Sequence, residues 1–95
     1  VDMSMNLIKE HFLPSDEREA TAEMVCASYC LDQARIAIFR EDYKRALAYF
    51  ENATRSIREL ARLNEKKKTH EKLEKMISEL AKSRGFEAYR KELGL

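Results

Sequence analysis

The stretch E41-D-Y-K-R-A-L-A-Y-F-E-N-A53 decides how this chain folds. At 100° per residue, Tyr43, Ala46, Phe50 and Ala53 fall on one side of a helix. Alanines at 46 and 53 let another helix backbone come close, and Tyr43 and Phe50 are expected to fill the spaces beside that contact. The matching small residues stand upstream at Ala27, Ala34 and Ala37. The spacing therefore predicts a tight antiparallel helical hairpin.

Working outward, the first long helix is expected over residues 16–40. Its stripe is Ala20, Met24, Ala27, Leu31, Ala34 and Ile38, in steps of four and three. Pro14 ends whatever precedes it, and Asp16 with Glu19 fits a capping box. The second long helix is expected over 43–63, with Asp42 as its N-cap and Asn64 at its end. Its buried face reads Tyr43, Ala46, Leu47, Phe50, Ala53, Ile57, Leu60 and Ala61. The charged run 65–72 then connects to a third helix over 66–84, striped by Leu73, Met76, Ile77 and Leu80 and capped by Gly85. Residues 1–14, with Met5, Ile8 and Phe12, form an arm or short helix, and Phe86, Tyr89 and Leu93 mark a short last helix over 86–93. The expected whole is one all-α domain over 1–95: an antiparallel hairpin at 16–63, a third packing helix and short terminal helices.

Composition agrees. The chain has 95 residues with two Gly and one Pro, few turn formers among many helix formers. Charged residues make up 37%, yet the net charge is +1, which argues against a dedicated nucleic-acid binder. No run of about 18 apolar residues is long enough to span a membrane. The chain begins with Val1, as a piece of a longer or processed protein would. Two cysteines make no secreted disulfide framework, so a reducing, cytoplasmic setting is expected.

No catalytic arrangement stands out, and neither an enzyme nor a cofactor is expected. Cys26 and Cys30 share a helix face, but a zinc site needs about four ligands, and His11 and His70 are the only histidines. The two cysteines read as small buried side chains. His70 sits among lysines as a solvated side chain. A basic stripe runs through Arg55, Arg58, Arg62, Lys66, Lys67 and Lys68, interrupted by Glu51, Glu59 and Glu65. It reads as a solvated, ion-paired face; the alternative is a phosphate backbone or an acidic partner.

A second apolar edge on the first long helix carries more information. Ala22, Val25, Tyr29 and Ile36 lie away from the main stripe, with Phe39 between that edge and the polar face. A helix apolar on two sides is covered on two sides. Cover from the third helix or the N-terminal arm is the expectation; a partner helix or a second copy of the chain is the alternative.

Asp42-Tyr43-Lys44-Arg45-Ala46-Leu47, with Phe50 and Ala53, resembles the second helix of a tetratricopeptide repeat, and Ala34 and Ala37 fall where that repeat carries small residues on its first helix. Glu41 stands where the repeat has Gly, and the closing Pro is absent. The long hairpin plus a third helix is also similar to the microtubule-interacting-and-trafficking domain. Both families are protein-interaction modules, so the resemblance implies binding of a protein or peptide, or self-association. Carried over from the repeat, the groove positions are Leu31, Arg35, Ile38 and Phe39. Together with the second edge, the candidate partner-binding residues are Val25, Tyr29, Leu31, Arg35, Ile36, Ile38 and Phe39.

Overall fold

The computed structural model describes residues 2–82, 91, 92 and 94. Among the described residues three helical elements have assigned bounds, in the order α1 (Asp2–His11), α2 (Glu17–Phe39) and α3 (Tyr43–Lys82), with a 3-10 turn at Pro14–Asp16 between the first two. No strand occurs among the described residues. The cap at Gly85 lies outside them, as does the expected helix at 86–93 apart from Lys91 and Glu92, which are helical.

The hairpin is formed by α2 and α3, which make the principal tertiary contact of the chain. Its seam is lined by small side chains. Ala20, Ala27, Cys30, Ala34 and Ala37 are buried on α2, and Ala46, Ala53, Ser56 and Leu63 on α3. The turn is closed by backbone bonds: Asp42 N donates to Ala37 O at 2.8 Å and Glu41 N to Ile38 O at 3.0 Å, which satisfies the last carbonyls of α2. That geometry requires a left-handed residue, and Glu41 adopts φ 60°. The position is one that favours glycine, so a side chain there costs on the order of 1 kcal/mol. Asp42 then caps α3, its Oδ1 accepting from Arg45 N at 3.2 Å.

Three sequence expectations are corrected. The third helix is not a separate element, because residues 66–82 continue α3 without a break for 40 residues in all. Asn64 does not stop the helix; its Nδ2 donates to His11 O of α1 at 2.8 Å. No Gly or Pro interrupts the charged run, and pairs one turn apart hold it helical: Lys68 with Glu65 at 3.7 Å, Lys67 with Glu71 at 3.6 Å, and His70 with Glu74 at 2.9 Å. The capping box does not form either. Asp16 precedes α2 but makes no side-chain capping bond. Its buried carboxylate instead faces Lys66 Nζ on α3 at 3.2 Å, beside the positive end of the α2 dipole.

The result is long and thin, 70 × 27 × 16 Å. The radius of gyration is 21.0 Å, against about 12 Å for a compact domain of this length. The exposed surface is 8014 Å², where a compact monomer of 11.1 kDa would show about 5,700 Å². Among the described residues the one cluster with a fully buried large side chain sits at the open end of the hairpin. There Ile8 and Phe12 of the α1 region pack with Ala20 and Leu63, flanked by Met24 and Leu60. Lys67 ties α1 down, its Nζ donating to Lys9 O at 2.7 Å and Glu10 O at 2.6 Å at the negative end of that helix.

Candidate functional site

A layer one helix thick has two faces, and these two differ. Counting 100° per residue from the seam, Met24, Leu31 and Ile38 of α2 lie on the same side of the hairpin as Phe50 and Ile57 of α3, with Tyr43 and Leu47 further round. All of these except Met24 are exposed; Leu47 is 59% and Phe50 56% open. Beneath them runs the alanine seam. Toward the open end the same face deepens into a groove of about 420 Å³, lined by Leu7, Phe12, Met24, Ile57, Leu60 and Ala61 with His11 and Asn64 at its edge. We call this the groove face.

The expectation that Tyr43 and Phe50 fill the space beside the contact is also corrected. Both stand open to solvent, with Tyr43 64% exposed. The alanines bring the helices together so closely that the large neighbours are left outside the contact rather than within it.

The opposite face is polar. A cleft of about 440 Å³ is lined by Glu19, Glu23, Cys26, Cys30, Asn52, Arg55, Ser56 and Glu59. Cys26 is exposed and Cys30 buried, and burial pushes the Cys30 thiol up, which keeps it protonated. Among the described residues no group of three or more His, Cys, Asp or Glu side chains is placed to hold a metal ion. At the cleft's end Arg62 joins the two helices. Its Nε donates to Glu59 at 3.0 and 3.1 Å, a second guanidinium nitrogen bonds the same carboxylate, and that nitrogen lies 3.8 Å from Glu19.

The two carboxyls of this cluster titrate in opposite directions. Hydrogen bonds from Arg62 hold Glu59 below its ordinary value, while a hydrogen bond with Glu59 holds Glu19 above its own. A lowered acid adds stability above its unfolded pKa and loses it as pH falls through the folded one. A raised acid adds stability below its unfolded pKa and loses it as pH rises through the folded one. Thermal melts between pH 3 and 8 are therefore expected to separate the pair. Relative to the parent chain, Glu59→Gln loses ground as pH rises through the carboxyl range, and Glu19→Gln gains it. Parallel slopes for the two variants would show that they do not share this cluster.

The structure divides the sequence-predicted partner-binding residues. Leu31 and Ile38 reach the groove face, with Arg35 on its rim, paired to Asp32 at 3.5 Å. Val25 and Ile36 point away from α3, and Tyr29 lies toward the polar face, where its ring meets Tyr49 edge-on at 6.4 Å. None of the three is buried by α1 or by the distal part of α3, so the expected internal cover of that edge is not found among the described residues. Phe39, at the turn, is 83% exposed. Of the basic stripe, Arg62 binds Glu59 and Glu19, Lys66 binds Asp16, Lys67 caps α1 and Lys68 meets Glu65. Arg55 and Arg58 make no ion pair among the described residues.

Sequence reasoning placed Leu47, Phe50 and Ile57 inside the hairpin contact. The signal to the contrary was the stripe's width. On α3 the apolar positions from Leu60 to Leu47 span about 140°, more than a single neighbouring helix covers. On both helices the stripe is centred not on the seam but to the groove side of it. Beyond Lys67, Leu73, Met76, Ile77 and Leu80 are all about half exposed on the projecting end of α3.

No helix among the described residues is long and apolar enough to cross a membrane. Compared with family models, curated proteins and solved structures, the chain matches none.

Proposed function

We propose that this chain is a non-catalytic assembly module that receives another helical surface on its groove face. The observation that carries the reading is the continuous apolar band of Leu31, Ile38, Leu47, Phe50 and Ile57, exposed along the hairpin and flanking a seam of alanines. In a helical bundle such a band forms the floor for a further helix. Both amphipathic stripes are centred to its side of the seam, so the binary pattern of the sequence calls for cover there. Its partner chemistry is that of an amphipathic helix with large apolar residues at i, i+3 or i+4, and i+7. The chain's own α1 region supplies an example at the end of the groove, where Ile8 and Phe12, four residues apart, are buried on the hairpin. The resemblance to tetratricopeptide and microtubule-interacting-and-trafficking domains leads to the same class of function. No observation favours nucleic acid over this, because four of the six basic residues are already engaged within the chain.

A fluorescently labelled synthetic 18-residue amphipathic helix, titrated with the chain and read by anisotropy, tests the reading. Saturable binding is expected, weakened at least tenfold by Leu47→Glu with Phe50→Glu. The circular dichroism of that double variant is expected to be unchanged, since both side chains are more than half exposed. Absence of binding together with absence of any self-association sensitive to that double substitution overturns the reading. So does loss of helicity in the double variant, which would make the face a core.

A further inference from the structure

We infer that the natural occupant of the groove face is a second copy of this chain, two hairpins meeting face to face as a two-fold four-helix bundle. The inference rests on the proposed reading of that face as an interface, and adds to it which surface docks there.

Area separates the second copy from a lone helix. The open part of the groove face runs from Met24 to Phe39, about 22 Å at the helical rise. Two packed helices, each about 10 Å wide with axes about 10 Å apart, present a face about 20 Å across. Two copies overlapping on that stretch cover roughly 440 Å² of flat area each, about 880 Å² together, the size of a small, reversible interface. One helix about 10 Å wide in the same groove covers about half of this. A second hairpin also brings two helices to a band built from two helices, so the α2 and α3 stripes are both covered at once.

Symmetry and charge fit as well. A two-fold contact sets the same patch on both copies, so the patch must not repel itself. The band is apolar; on its α2 rim Arg35 is paired with Asp32, and on its α3 rim Lys44 and Arg58 stand beside Glu51. The whole chain carries only +1. Position also fits. The α1 region walls off the groove at the open end through Leu7 and Phe12, leaving the turn half clear. Antiparallel copies overlapping by their turn halves place one α1 at each outer end, where it acts as a stop and sets the register. The thickness of 16 Å per hairpin then doubles to that of an ordinary two-layer helical domain.

Sedimentation of the whole chain across a thousandfold range of concentration tests this. A dimer is expected, with dissociation increased at least about a hundredfold by Leu47→Glu with Phe50→Glu and unchanged helicity. Val25→Glu with Tyr29→Glu, on the outer side of α2, is expected to leave it intact. A monomer at every concentration overturns the second copy, while the labelled-helix titration separately decides whether the face binds helices at all. A dimer that survives the groove-face pair but is lost with the Val25 and Tyr29 pair also overturns the inference, by moving the contact to the outer edge of α2.

Discussion

Leu63→Ala is expected to destabilise the chain by about 2–5 kcal/mol. Among the described residues Leu63 is the one large side chain with no exposed surface, and it is held between Ile8, Phe12 and Ala20. Removing its branched end leaves a cavity that the alanine beside it cannot fill. Two effects then add. The hairpin loses its anchor at the open end, and α1 loses the surface on which Ile8 and Phe12 rest. A ten-residue helix is too short to persist in water without such support. For a domain of this size the melting temperature is expected to fall by on the order of 15 °C. Amide exchange in α1 is expected to rise before that in the alanine seam. Leu73→Ala is the control: Leu73 is half exposed on the projecting part of α3, and its loss is expected to change stability by no more than about 0.5 kcal/mol. Equal effects at the two positions would show that no core exists at the open end.

How much of this could be read from the sequence depends on which forces the residues report. The hairpin was legible because alanine spacing is a direct statement about backbone approach, and Ala27, Ala34, Ala46 and Ala53 are all in the seam. The turn was legible in part. Asp42 caps α3 as its type and place suggest, but nothing about Glu41 announces a left-handed backbone, since the closing bonds from Asp42 and Glu41 impose it. The run from Asn64 to Lys72 misled because charge density suggests a connection, whereas pairs one turn apart make the same residues a stable helix. Asp16 misled for the opposite reason. Its local pattern fits a capping box, yet a lysine fifty residues away reaches its carboxylate. Local sequence says which bonds a side chain can make; the tertiary neighbours decide which one it makes.

The candidate site was the least legible part, for a physical reason. Periodicity shows that a residue prefers to be covered but not by what. Leu47, Phe50 and Ile57 carry the same apolar signal whether α2 or another molecule lies over them. The discriminating information is steric. Once alanines occupy both sides of the seam, the contact is too narrow to enclose large neighbours at about 70° or more from it. The candidates Leu31 and Ile38 were found from the resemblance, and their partners on α3 were missed because they had been assigned to the interior.

That steric effect predicts the second large change. Ala53→Leu is expected to destabilise the hairpin by about 1–3 kcal/mol, toward the upper end of that range. Ala53 is 1% exposed at the centre of the contact between α2 and α3. Leucine is as good a helix former as most residues, so α3 itself is not weakened. The cost arises because three added carbons must enter a seam whose facing positions are filled by backbone and by other alanines. The helices then separate, and Ala46 and Ala34 lose their contacts with them. Ala48→Leu serves as the control, an exposed position on the same helix where the same change meets solvent. Thermal melts of the two variants should differ by roughly 5–15 °C. Separation of the helices also widens the groove floor, so binding of the labelled helix is expected to weaken in Ala53→Leu although that side chain never reaches the groove face. If Ala53→Leu melts with the parent chain, the seam is not close-packed, and a narrow contact is then not what holds Leu47 and Phe50 outward.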